Sequence, residues 1–393
     1  MKILALGGCG QQGRYAIKAL LQHEVVSKIV IADIDIAKAQ QFTSELNDLR
    51  VECLQLDVTD SSALINQMRL VDVVANFVGP FFRYAEAVVS AAIEAGINYV
   101  DICDDTKPTI ELMDKYHEAA KAKGITILMG MGASPGMLNV FAKYAANNMD
   151  SVKDIRIFWN VSVNDIETDI VASLDNAAIF EHGLEIVSGD VPQFIDGKIQ
   201  YVPAGSGMEE VEFPNLGKQK VYYVAHPEPV TLCRYIAAEN ITNQGGTLGM
   251  DDLLLGLREL GLTGDHSITV KGNSYKASDL GLSVMASIAE HSDPIPTSIA
   301  PEGSDSFVEV TGFKDGNPLQ ISISHKSNYA LPRMDEGTGI AAAVGILMMG
   351  QGKIDIHGVH APEGCVDPLQ FFEGINAHGI TVHERRVQVS QLN

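Results

Sequence analysis

Near the N-terminus, Gly8-Cys9-Gly10-Gln11-Gln12-Gly13 has the spacing G-x-G-x-x-G, directly after an apolar run and at the opening of a helix-like stretch. Each glycine has a physical use there: Gly8 permits a tight turn, Gly10 lets a pyrophosphate approach the backbone, and Gly13 lets the helix pack closely on a sheet. The free N–H groups of the first helical turn, at Gln11 and Gln12, would then face the phosphates. A glycine-rich turn without a ligand would share this pattern, but Asp33 stands twenty residues after Gly13, where a carboxylate can accept from both ribose hydroxyls. The expected cofactor is NAD rather than NADP, because a 2′-phosphate beside Asp33 and Asp35 would meet like charge. Asp57 and Val58 are expected to flank the adenine, with a helix N-cap region as the alternative. Asn76, Gly79 and Pro80 are placed near the ribose and nicotinamide.

Hydride chemistry on an amine needs an anchor for a carboxylate or ammonium group and a base for the proton. Asp104 and Asp105 are the first candidates, as ammonium holder and base, with helix N-capping near Pro108 as the alternative. His226 lies between stiffening residues in Ala225-His226-Pro227-Glu228-Pro229 and is a candidate acid or base, with Glu228 on the same substrate wall. Arg234 and Arg333 are candidate carboxylate forks. Phe81 and Asn139 complete the expected substrate contacts, Asn139 with a helix cap as its alternative. Pro135 and Gly136 are expected to set a turn that aims N–H groups at the Met137 helix start into the pocket. Cys103 would suit a thiohemiacetal mechanism only as a thiolate, and Asp101, Asp104 and Asp105 around it oppose that. His357 and His360 lack a third partner for a metal, so no metal is expected.

These residues need a frame. Lys2–Leu6, Lys28–Ala32, Val51–Leu56, Asp72–Phe77, Tyr99–Ile102 and Ile125–Met129 are near-continuous apolar runs. They alternate with helix-like stretches at Gln12–Gln22, Ala37–Leu46, Ser61–Met68, Ala85–Ala95 and Thr109–Ala122. Such alternation predicts a parallel sheet covered on both faces, an open doubly wound Rossmann sheet of six strands. Beyond residue 150 the runs at Asp154–Val163, Lys220–Val224, Phe307–Gly312 and Gln320–His325 predict antiparallel strands. Helices are expected at Asn176–Phe180, Met250–Leu260, Ala277–Ala289, Gly337–Met349 and Pro368–Ala377, a strand at Ile380–Val389, and loops at Asp190–Gly207 and Ser292–Gly303. The fold class is α/β, with an N-terminal Rossmann domain (1–130), a second α+β substrate and dimerisation domain (131–350), and a C-terminal segment (351–393) returning to the first.

Asn76-Phe77-Val78-Gly79-Pro80-Phe81, Gly132-Ala133-Ser134-Pro135-Gly136-Met137-Leu138-Asn139 and Gly358-Val359-His360-Ala361-Pro362-Glu363 carry a family resemblance. In order and spacing they resemble the saccharopine dehydrogenase-like oxidoreductases, and the layout is most similar to the lysine 6-dehydrogenase branch. The resemblance implies oxidation of an amino-acid amine at a C–N bond with a nicotinamide cofactor. Saccharopine or carboxynorspermidine-type reductases, which join an amine to a semialdehyde, are the alternative. A dinucleotide-sensing regulator without catalysis is a third reading. Ala85 and Asp104-Asp105 depart from the glycine and Gly-Glu or Gly-Gly residues common in relatives.

Composition sets the outer limits. Twenty-eight Lys and Arg against 50 Asp and Glu give a formal charge of −22, the wrong sign for a nucleic-acid or anionic-membrane footprint. Five scattered cysteines without C-x-x-C spacing argue against a disulfide framework. The expected setting is cytoplasmic, with a small amino acid or amine as substrate, no nucleic acid or membrane partner, and a homo-oligomeric assembly.

Overall fold

A computed structural model describes residues 1–162, 183–248, 250–291, 304–327 and 333–388. The first part alternates strictly: β1 (Lys2–Leu6), α1 (Gln11–Leu20), β2 (Lys28–Asp33), α2 (Ile36–Leu46), β3 (Val51–Gln55), α3 (Ser61–Met68), β4 (Val73–Asn76), α4 (Phe81–Ala95), β5 (Asn98–Asp101), α5 (Thr106–Lys123), β6 (Thr126–Leu128) and α6 (Met137–Asn147). Next come β7 (Ser151–Ser162), β8 (Asp190–Ile195), β9 (Lys198–Pro203), β10 (Glu209–Phe213), β11 (Gly217–Tyr223), α7 (Glu228–Leu232), β12 (Asn240–Leu248), α8 (Asp251–Glu259), β13 (Ser267–Val270), β14 (Asn273–Lys276) and α9 (Ala277–His291). The chain continues through β15 (Asp305–Lys314), β16 (Asn317–Lys326), α10 (Met334–Gly350), β17 (Gly358–His360), α11 (Pro362–Cys365), α12 (Pro368–Ala377) and β18 (Thr381–Gln388).

Strand β1 shows why the first sheet is parallel and central. Ile3 and Ala5 pack into one core with α1, α6 and α10, while Leu4 and Leu6 pack into a second core with α3 and α4. Both faces are apolar because both are covered, and each such buried side chain contributes roughly 1.5–3 kcal/mol. The strand order is β17-β6-β5-β4-β1-β2-β3, all parallel. The order reverses between β1 and β4, which opens a crevice at their carboxyl ends. The expected six strands are joined by a seventh, β17, a run too short to announce itself in the sequence.

The second sheet has nine strands and is mixed: β7 and β12 run parallel, while β15, β16 and β18 continue antiparallel. From the C-terminal segment, β17 therefore joins the first sheet and β18 the second. Asp190–Gly207 is a hairpin, β8 with β9, rather than a loop. Its turn, Asp196-Gly197, has positive φ at both residues (52° and 73°), the Asp-Gly signal of a two-residue hairpin. The stretches Asn176–Phe180 and Ser292–Gly303 lie outside the described residues. Helix α10 is buried nearly throughout and lies on α1 so closely that a Cβ at Gly339 would sit 2.6 Å from the Gln12 carbonyl oxygen. Among the described residues no helix is long and apolar enough to cross a membrane.

Candidate active site

The glycine loop folds around a turn at Gly7, whose φ is +65°, so Gly7 rather than Gly8 supplies the left-handed residue. Gly8 and Gly13 lie against each other, and a Cβ on Gly13 would stand 2.8 Å from the Gly8 Cα. Gly13 thus packs the helix on its own loop. A Cβ on Gly10 would meet only the Gly7 carbonyl oxygen, at 3.1 Å, and otherwise open space. Gly10 is also the N-cap of α1 and offers no side chain to satisfy the first-turn N–H groups. Open space over uncapped amides fits a pyrophosphate.

Asp33, at the end of β2, accepts the Cys9 thiol (2.9 Å) on one oxygen and the Asp35 N–H (3.0 Å) on the other. Burial, reinforced by this bond to Asp33, pushes the Cys9 thiol up to about 12, so it remains a donor. Asp35 caps α2. Asp57 closes an exposed turn on Thr59 N–H (2.8 Å) next to the buried Val58, while Asp60 caps α3. Asn76 is fully buried and committed: its amide donates to Tyr99 (2.9 Å), its oxygen accepts from Val78 N–H (3.1 Å), and Tyr99 donates to Asp101 (2.8 Å). Its side chain ties β4 to β5 and does not border the open space, which the following Gly79 and Pro80 reach.

That space is a cavity of about 340 Å³ beyond the carboxyl ends of the parallel strands. Gln12, Pro80, Phe81, Asp104, His226 and Arg333 border it from both sheets. Phe81 opens α4 and is nearly buried. Asp105 also borders it, but its carboxylate accepts the Phe82 N–H (2.8 Å). Asp105 stands at the N-cap position of α5, the helix that contains Pro108, but its side chain bonds the start of α4 across the crevice instead. Arg333 grips Asp335 through Nε (3.2 Å) and Nη2 (3.1 Å), and Gln11 Nε2 donates to the same carboxylate (3.0 Å).

His226 faces the cavity from the second sheet, and its Nδ1 lies 2.9 Å from Glu228 Oε2. Pro227 is the N-cap of α7 and Pro229 lies in its first turn, where a missing N–H costs nothing. The two prolines fold Glu228 back beneath His226. Ser134 Oγ donates to Glu228 Oε1. Burial pushes the Glu228 carboxyl up, but the His226 charge and the bonds from His226 and Ser134 outweigh it and hold the group below the usual range. Glu228 is fully buried and does not border the cavity, so it orients His226 instead of touching a substrate.

Three further expected contacts are not in the cavity. Arg234 turns outward to Asp114 of α5 (2.7 Å). Asn139 is fully buried, capping Gly136 N–H (2.9 Å) and donating to Glu363 (3.0 Å). The Met137 and Leu138 N–H groups are taken by the carbonyls of Gly132 (2.8 Å) and Ala133 (3.1 Å), because the loop coils back on itself. Burial first, and Asp101 next, push the Cys103 thiol well above its usual range, which opposes a thiolate mechanism.

Residues 3–128 match the family model of the saccharopine dehydrogenase NADP binding domain. Across its whole length the chain is 26% identical to carboxynorspermidine synthase of Vibrio alginolyticus, covering 98% of that protein. It is 25% identical to carboxyaminopropylagmatine dehydrogenase of Synechocystis sp., over 97% of this chain and 96% of that one. The fold is that of the solved apo saccharopine dehydrogenase (L-Glu forming) from Saccharomyces cerevisiae, with a TM-score of 0.67, 17% identity, and coverage of 98% and 99%. The first third of the chain thus matches a saccharopine dehydrogenase cofactor-binding domain, and the whole chain shares the saccharopine dehydrogenase fold. These similarities are those of an oxidoreductase with a nicotinamide dinucleotide cofactor. Three residues bonded to the expected site side chains were not singled out from the sequence: Ser134 on Glu228, Asp335 on Arg333 and Glu363 on Asn139. Ser134 and Glu363 lie within the motifs that carry the resemblance, whereas Asp335 had no signal beyond standing two residues after Arg333.

Proposed function

We propose that the chain is a reductase that joins an amine to an amino-acid semialdehyde, reducing the C=N bond between them. The relatives matched along their whole length are named for carboxyaminopropyl and carboxynorspermidine products, which supports this reading over lysine 6-dehydrogenase and over a non-catalytic regulator. The observation that carries it is one cavity holding both a guanidinium, Arg333, and a carboxylate, Asp104, beside Gln12 of the glycine loop. A zwitterionic aldehyde and a cationic amine need both signs at once.

Gly10, the α1 amides and Asp33 would hold the dinucleotide, which supplies hydride to the imine carbon when bound. Arg333 holds the semialdehyde carboxylate, and Asp104 holds an ammonium group. His226 gives the nitrogen its proton, so C=N becomes CH–NH, and Glu228 keeps the ring oriented for that transfer. Asp33 favours NADH over NADPH, although the matching family model is named for NADP.

A carboxyaminopropyl product implies a four-carbon amino-acid semialdehyde. Diamines and agmatine, each paired with that aldehyde, are to be assayed by loss of NADH absorbance, beside lysine with NAD. NADH oxidation with an amine–aldehyde pair is expected. Turnover of lysine alone would overturn the reading.

A further inference from the structure

Behind the cavity wall lies a second buried carboxyl that the proposed reaction does not use. The C-terminal segment passes through β17 in the parallel sheet and places Glu363, in α11, next to α7 and α6. Glu363 is 2% exposed. Asn139 Nδ2 donates to its Oε2 (3.0 Å), and the same amide reaches Thr231 Oγ1 (3.3 Å), whose hydroxyl lies 3.5 Å from the Glu228 carbonyl oxygen. Glu363 Oε1 is enclosed without a hydrogen-bond partner. The Glu363 carboxyl and the Glu228 backbone therefore meet in one small buried polar cluster, and the Glu228 carboxyl continues from it to His226.

We propose that Glu363 is a positioning residue that sets how firmly the His226–Glu228 pair holds the proton it delivers. The proposal rests on His226 being the acid of the reaction above. Water is excluded from the cluster, so a charge on Glu363 acts on Glu228 and His226 with little screening. While Glu363 is neutral, Glu228 alone carries the negative charge beneath His226. Once Glu363 ionises, a second negative charge stands behind the first and the pair binds its proton more tightly.

Burial, and then the Glu228 charge, raise Glu363 to about 7, against hydrogen bonds from Thr231 and Asn139, so this change falls in the working pH range. The other titratable groups facing Glu363 are Cys233 and Tyr235 after α7 and Cys365 on its own helix. Burial pushes all three above their usual ranges, so none supplies a compensating charge change. Arg234, between Cys233 and Tyr235 in sequence, is turned out to Asp114.

The test is Glu363→Gln, which keeps shape and neutral hydrogen bonding but cannot ionise. The alkaline limb of kcat is expected to move to lower pH by about one unit, with KM unchanged. A pH profile that coincides with wild type would overturn the proposal and leave Glu363 as packing. NMR titration of the unmodified protein removes dependence on the variant's folding and on the substrate. The His226 ring, identified by its loss in His226→Asn, is expected to show a second inflection at the midpoint of the Glu363 carboxyl. A single inflection would overturn the proposal. Failure of every amine–aldehyde pair to turn over, with the NMR coupling intact, would sink the substrate reading alone.

Discussion

Gln11 and Arg333 bond to the same oxygen, Oδ2 of Asp335, at 3.0 and 3.1 Å. One residue opens the helix of the glycine loop and the other is the guanidinium at the cavity edge, so a single buried carboxylate fixes the cofactor loop against the substrate anchor. Charge-assisted bonds of this kind are worth about 1.5–3 kcal/mol each.

Asp335→Asn is expected to weaken both ligands together, raising the dinucleotide Kd and the KM of the carboxylate substrate about tenfold each. Arg333→Lys is expected to raise mainly the KM, because Gln11 still holds Asp335 while lysine cannot bond Asp335 and a substrate carboxylate at once. Fluorescence titration with NADH and steady-state kinetics on both variants separate these outcomes. A dinucleotide Kd that follows Arg333→Lys would contradict the division of roles.

Two glycines are expected to fail differently. At Gly136, φ is +125° and a Cβ would stand 2.1 Å from the Gly132 carbonyl oxygen, so Gly136→Ala should lower stability by roughly 3 kcal/mol or more. Gly10→Ala has room on the protein side, and should melt near wild type while losing at least about tenfold in dinucleotide affinity. Thermal melts with and without NADH check both.

His226→Asn is expected to lower kcat by a factor on the order of 10²–10⁴ while the NADH Kd is unchanged. Glu228→Gln keeps the shape but loses the charge that orients the ring, and should fall between that variant and wild type. Equal kcat in His226→Asn and wild type would remove the ring from the reaction.

Glu363→Gln also has a stability signature. The folded carboxyl titrates at about 7, above the ordinary glutamate value of 4.5, so between those values the folded chain keeps a proton that the unfolded chain has lost. Wild-type stability therefore falls as pH rises through that window, and the glutamine variant lacks the loss. Relative to their difference at pH 4.5, the variant should gain on the order of 3 kcal/mol by pH 8. Urea melts at the two pH values measure it; parallel behaviour would contradict the assignment.

NADH is expected to bind at least about tenfold more tightly than NADPH, and Asp33→Ala to erase most of the difference. Isothermal titration with both cofactors decides this. Equal affinities in wild type would mean that the Asp33 carboxylate does not sit at the ribose.

The cofactor half was legible because its signals are local. A glycine loop between an apolar strand and a helix, with Asp33 in register, needs only neighbouring residues to be read. The substrate half depends on tertiary pairing. Asp105 has the residue type of a base, but its partner is the Phe82 N–H, brought near only when α4 and α5 pack. Arg234 and Arg333 look alike in sequence, and they part because one faces α5 and the other the cavity. Asn139 suits a substrate contact by type, and its partner Glu363 arrives from the far end of the chain. The His226–Glu228 pair was within reach because two prolines confine it to one bend.

Strand β17 lies outside β6, so the parallel sheet is finished by residues 358–360. During synthesis the sheet therefore keeps an open edge until the whole second sheet up to β16 has left the ribosome. Cutting the gene after α6 would leave that edge bare to pair with other chains. The two halves are separable as descriptions of chemistry, but the chain completes the first sheet only after most of the second.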